Sequence, residues 1–118
     1  MRREELYLRD IVEAASFVTQ FVHGLDREGF QTSELVRSAV VQKLAVIGEA
    51  AAHVPEEFRV RYPDVPWPKI VAFRNILIHA YFGIDWDEVW RAATQEAPAL
   101  GAQIAAILRS EFREGDPG

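Results

Sequence analysis

Along most of this chain apolar residues return every three to four positions, and no segment alternates at the two-residue period of a half-buried strand. Leu8, Ile11, Val12, Ala15, Val18 and Val22 form one helical stripe. Val40, Leu44, Ile47, Ala51 and Val54 form a second. Trp86, Val89, Trp90, Ala93, Ala97, Leu100, Ile104, Ile107 and Leu108 form the longest. Each stripe has to be buried against another, so the spacing predicts an all-α fold, an antiparallel helical bundle of four to five helices. With 118 residues, 49% of them hydrophobic, the chain suffices for one packed core and is too short for two. Residues 1–113 are expected to form that domain and residues 114–118 a flexible tail.

Capping and breaking residues place the boundaries. His23-Gly24 closes the first helix, because glycine adopts the left-handed conformation of a helix end. Leu25 to Gln31, rich in Asp, Glu and Gly, reads as a loop. Thr32 or Ser33 caps the second helix. Pro55-Glu56-Glu57 starts a short helix through about Arg61. Pro63, Pro66 and Pro68 predict an extended connector from Tyr62 to Trp67. A third long helix is expected from near Pro68 to about Tyr81, ahead of Gly83. Asp85 caps the last helix, which Pro98 should kink or split.

The absence of cysteine excludes disulfides, a thiol nucleophile and Cys-ligated metal sites. No apolar run reaches the roughly 18 to 20 residues that span a bilayer. The charged start, Met1-Arg2-Arg3-Glu4-Glu5, leads into no signal-peptide core, so the expectation is a cytoplasmic protein without a membrane partner. A net charge of −5 counts against nucleic acid as a partner. Its distribution is less hostile. Between Phe58 and Phe82, Arg59, Arg61, Lys69 and Arg74 face a single acid, Asp64, a local +3 that leaves −8 on the remainder. That segment permits an anionic ligand.

On a helical wheel, Ile70, Phe73, Ile76, Leu77 and Ala80 fill one arc of the third helix, which is expected to face the subunit's own core. The opposite arc carries Arg74, Asn75, His79 and Tyr81, with Val71, Ile78 and Phe82 among them. A solvent face does not normally interleave Ile and Phe with its polar groups. A surface covered by a second copy about a two-fold axis does, which predicts a homodimer with this helix at the interface. Arg74 and His79 lie about 140° apart on the wheel. Either the helix loosens after Ile78, or the two residues meet across the dimer.

Arg74 to Tyr81 reads R-x-x-x-x-H-x-Y. This resembles the signature of HEPN-superfamily ribonucleases, and the surroundings are similar to the HepT-like branch. The matching segments are Arg9-Asp10, Ile47-Gly48-Glu49-Ala50 and Pro66-Trp67-Pro68-Lys69-Ile70, with Asp85 and Trp90 after the motif. The resemblance covers essentially the whole domain. It implies a homodimeric, metal-independent endoribonuclease, the toxin of a type VII-like toxin–antitoxin module. The implied partners are RNA as substrate and an MntA-type nucleotidyltransferase antitoxin, which silences the toxin by transferring AMP to Tyr81. No metal ligand and no cofactor are implied.

The residue types suit that chemistry. Cleavage of RNA without a metal needs a proton taken from the 2′-hydroxyl, charge stabilised on the phosphate and a proton given to the leaving 5′-oxygen. An imidazole titrates near neutrality, so His79 can act as acid or base. Arg74 can fork two donors onto phosphate oxygens. Asn75 can orient the phosphate or His79. Tyr81 falls about 20° from Arg74 on the wheel, where an AMP ester would add bulk and negative charge against the RNA phosphate.

Other polar residues have plainer readings. His23 is a helix-end residue, and His53 pairs with Glu49 one turn earlier. Glu49 follows Gly48, where a helix can approach a neighbour closely. It is read as a partly buried acid that supports the site by pairing with Arg9 or Arg74. Asp10 is a helix-pairing acid, and Trp67, Trp86 and Trp90 are core or interface anchors. A second functional reading stays open: a non-catalytic helical partner or substrate-binding subunit of a minimal nucleotidyltransferase, with Arg74 and His79 as ligands. The acidic net charge fits it slightly better; Arg, His and Tyr together fit the nuclease better.

Overall fold

The computed structural model describes residues 3–112. The tail expected over 114–118 and the domain end at 113 lie outside the described residues. Among the described residues the fold is an all-α helical bundle without strands. Its long helices are α1 (Arg3–Val22), α3 (Glu34–His53), α5 (Trp67–His79) and a C-terminal rod built of α6 (Trp86–Arg91) and α7 (Ala97–Glu111). Two short helices, α2 (Arg27–Gln31) and α4 (Glu56–Arg59), join them. The count of four to five is therefore exceeded by one short helix.

That helix is α2, in the segment expected to be a loop. The Asp26 carboxylate accepts the Gly29 N–H at 2.8 Å and caps it. Phe30 is then driven fully into the core, with Trp90 at 5.3 Å and Trp86 at 6.3 Å between ring centres. A five-residue helix carries one apolar residue and no stripe, so periodicity does not reveal it.

The other boundaries follow their capping chemistry. Gly24 has φ +80°, the left-handed value that ends α1. Ser33, of the two candidates, caps α3 by accepting the Val36 N–H at 3.1 Å. Asp85 accepts the N–H groups of Asp87 and Glu88 and starts α6. The connector before α5 is a set of turns instead of an extended run. Val65 N–H donates to Tyr62 O at 3.2 Å, and the Trp67 indole donates to the same carbonyl at 3.1 Å. Tying the indole back in this way buries Trp67 and sets the start of α5.

Pro98 splits the last helix into α6 and α7 without ending the rod. Its missing N–H is absorbed by a π-helical turn over Ala92–Glu96, where Ala97 N–H bonds Ala92 O across five residues, and α7 continues with Pro98 in its first turn. The core is made by α1 packed between α3 and α7. Leu8, Ile11, Ala15, Val18 and Val22 of the first stripe are buried, and so are Val40, Leu44, Ile47, Ala51 and Val54 of the second. Fully burying a Leu or Ile contributes roughly 1.5–3 kcal/mol, so these stripes dominate the stability.

Candidate active site

α5 packs on α3. Gly48 explains how closely: a Cβ at position 48 would fall inside the Arg74 side chain and lie 3.3 Å from Ile70 O. The missing side chain lets α3 draw in the Arg74 side of α5, which rotates the helix away from the expected orientation. Trp67 and Leu77 are buried, and Ile70 and Arg74 partly so, giving an inward line at i, i+3, i+7 and i+10. Of the arc expected to face the core, Ile76 is 50% exposed and Ala80 is exposed. Ile70, Phe73 and Ile76 instead line an open cleft of about 420 Å³ between α5 and the α6–α7 rod, floored by Leu44 and Ile47 of α3.

Arg74 is more buried than His79 or Tyr81 of the motif. Its side chain is 17% exposed, with Nη1 donating to a Glu49 carboxylate oxygen and Nε donating to Asn75 Oδ1 at 2.9 Å. Glu49 therefore pairs with Arg74; Arg9 pairs instead with Glu5 on its own helix at 2.9 Å. The Glu49 side chain is 56% exposed, so it is an open-sided carboxylate and not the partly buried acid expected. Among the described residues Asn75 makes no hydrogen bond to His79. It braces the guanidinium, an arrangement that side chains adjacent in sequence can make and that a wheel does not display. The unused edge of the guanidinium is the one available to an anion.

His53 extends the cluster. Its Nδ1 lies 2.8 Å from Glu49 O and 3.6 Å from Glu49 Oε1, the helical pair expected, and its ring packs 5.4 Å from that of Tyr7. A carbonyl only accepts, so Nδ1 carries the proton.

α5 ends at His79, two residues short of the expected limit, and the chain tightens into a 3-10 turn over Tyr81–Gly83. Ala80 takes φ −124°, ψ 37° and leaves the helix. Tyr81 is thus outside the α-helical register, and its wheel angle to Arg74 does not apply. Its ring is instead held against Trp86, edge to face, at 6.2 Å and 85°. His79 is exposed at the last helical position, and no hydrogen bond or ion pair joins it to Arg74 among the described residues. Arg74, Asn75 and Glu49 are brought together; His79 stands beyond them at the exposed end of α5, and Tyr81 in the turn that follows.

Residues 11–107 match the Ribonuclease HepT-like family. The chain belongs to the HepT-like ribonuclease family. It is 36% identical to a Methanocaldococcus jannaschii protein named "Putative RNase MJ1380", over 90% of this chain and 97% of that one. It is 34% identical to the "Probable ribonuclease HepT" of Thermococcus cleftensis, over 92% and 98% of the two chains. A Caldanaerobacter subterraneus protein also named as a putative RNase is 35% identical over 94% and 99%. No solved structure matches significantly. Among the described residues no helix is long and apolar enough to cross a membrane, and no group of His, Asp and Glu is arranged to hold a metal ion.

Proposed function

We propose that this chain is a metal-independent endoribonuclease whose site is built on Arg74 and His79, completed by a second copy of the chain. The observation that carries the reading is the contrast within the motif. Arg74 is braced by Glu49 and Asn75 with one edge free, while His79, five residues on, is left exposed at the point where the helix ends. In this reading Arg74 holds the scissile phosphate and stabilises its added charge. The 2′-oxygen bonds to phosphorus as its proton passes to an imidazole, and the bond to the 5′-oxygen breaks as that oxygen takes a proton. The products are a 2′,3′-cyclic phosphate and a 5′-hydroxyl. The imidazole of His79 can take the first proton and return it to the 5′-oxygen.

The dimer is supported by what α5 leaves uncovered. Ile78 is half exposed on a helix whose other side, with Ile76, lines an open cleft. Two α5 helices meeting about a two-fold axis would cover it and bring each Arg74 toward the other copy's His79.

The chain is further read as the toxin of a toxin–antitoxin pair, with Tyr81 as the residue adenylylated by a nucleotidyltransferase antitoxin. Tyr81 is 42% exposed and lies past the helix end, where an enzyme can reach its hydroxyl. An attached AMP would place a negative charge and a bulky group beside the phosphate site. A cytoplasmic location fits a substrate and a partner of this kind.

Two measurements test the proposal. Purified protein should cleave RNA in the presence of EDTA and leave cyclic phosphate ends; cleavage that requires added metal would refute the mechanism. Coexpression with a nucleotidyltransferase encoded next to it should add mass in AMP-sized steps, mapped to Tyr81. A stable complex of the two proteins with no added mass would replace modification by simple binding.

A further inference from the structure

The ring of Tyr81 is the middle of a ladder that leads away from His79. Phe82 meets Tyr81 edge to face, with ring centres 5.9 Å apart at 88°. Tyr81 meets Trp86 in the same manner, and Arg37 of α3 lays its guanidinium carbon 4.8 Å from the Trp86 ring centre. Two members of this ladder present groups that the described fold leaves unpaired. Phe82 is fully exposed, more so than any other large apolar residue described. Arg37 forms no ion pair among the described residues, and its Nε is buried without a hydrogen-bond partner. Of the two acids flanking Trp86 in sequence, Asp85 caps α6, and Asp87 receives Gln31 at 2.7 Å and Arg27 at 3.6 Å.

An open aromatic face and an uncompensated cation on one surface are the features by which proteins hold single-stranded nucleic acid: a base stacks on the ring and a phosphate meets the charge. We propose that Arg37, Trp86, Tyr81 and Phe82 form a strand-binding subsite beside the scissile phosphate, where Phe82 stacks an unpaired base of the RNA and Arg37 takes a phosphate of the same strand. The inference rests on the ribonuclease reading above and adds the residues that would grip the strand next to the cut. A second copy of the chain covering Phe82 accounts for the ladder less well. Sealing Arg37 in an apolar interface without a carboxylate would leave a buried charge unpaired, whereas a phosphate supplies the missing partner. A nucleotide attached to Tyr81 would sit on the same rings, so modification would block the strand as well as the phosphate site.

The test uses the full chain carrying His79→Ala, which binds RNA without consuming it. Two fluorescein-labelled probes of equal length are titrated by anisotropy, an oligoadenylate and the same ribose-phosphate chain without bases. Phe82→Ala should weaken oligoadenylate binding by about 5- to 150-fold and leave the abasic chain unchanged, while Phe82→Trp keeps the affinity. Arg37→Gln should weaken both probes and lower the salt dependence of binding by about one phosphate contact. Unchanged oligoadenylate affinity in Phe82→Ala overturns the subsite. So does an equal loss on both probes, or dissociation of a dimer by Phe82→Ala in sedimentation, which would assign the ring to the second copy. Wild-type cleavage of RNA alongside any of these results leaves the ribonuclease reading standing and removes only the subsite. Failure of the wild type to cleave RNA removes both.

Discussion

α1 and α5 are both rich in apolar residues, and the fold treats them differently. α1 buries six residues in one stripe, from Leu8 to Val22, between α3 and α7. α5 is the more apolar of the two on average, yet it buries only Trp67 and Leu77. Its inward line includes an arginine; Ile70, Phe73 and Ile76 line a cleft, and Ile78 is exposed. α1 thus does the work of folding. α5 is anchored at its start by Trp67 and at its middle by the Gly48 contact, and from Ile78 to Gly83 nothing is buried. An apolar helix that its own chain does not cover is one that carries a site or meets a partner.

Substitutions on the two sides should therefore separate activity from stability. His79→Ala should lower RNA cleavage by about 10²- to 10⁴-fold, with unchanged circular dichroism and thermal midpoint; an equal loss of stability would make His79 a structural residue. Phe30→Ala should do the converse, losing about 3–5 kcal/mol in urea denaturation because the cavity between Trp86 and Trp90 cannot close. Gly48→Ala joins the two regions. The added methyl gains about 1 kcal/mol of helix propensity. Forcing α5 away from α3 costs about 1–3 kcal/mol, so a net loss of stability is expected, together with a loss of cleavage as Arg74 is displaced. Ile78→Ser should stay within about 0.5 kcal/mol in the isolated chain and yet shift sedimentation toward monomer.

The smallest effect concerns the packed end. Burial and the Glu111 carboxylate raise the Tyr62 phenol above its ordinary 10.0, against a smaller opposing effect of Arg61. The protonated phenol is favoured in the folded state, so this contribution is complete below pH 10 and is lost as the pH rises through the folded value. Tyr62→Phe should flatten the fall in thermal midpoint above that pH; an unchanged slope would assign it to other groups.

The scaffold was legible because it obeys one period: a residue every three to four positions, buried in α1, α3 and α7 as the stripes require. α2 was not, since Phe30 is held by tertiary contacts with two distant tryptophans. The orientation of α5 failed for a related reason. A wheel ranks faces by hydrophobicity, whereas here a glycine on the neighbouring helix chose the face and put Arg74 inward. The motif residues themselves were readable as a set, and so was the close approach at Gly48. Their geometry was not, because Ala80 leaves the helix and takes Tyr81 out of register.

The central claim is that cleavage uses Arg74 of one copy with His79 of the other. Arg74→Ala and His79→Ala, each inactive alone, should be mixed under conditions that exchange subunits, and RNA cleavage then measured in EDTA. A shared site regenerates one intact Arg74–His79 pair per mixed dimer, and activity returns. If the mixture stays inactive although sedimentation shows mixed dimers, the site does not span the interface and the account is wrong.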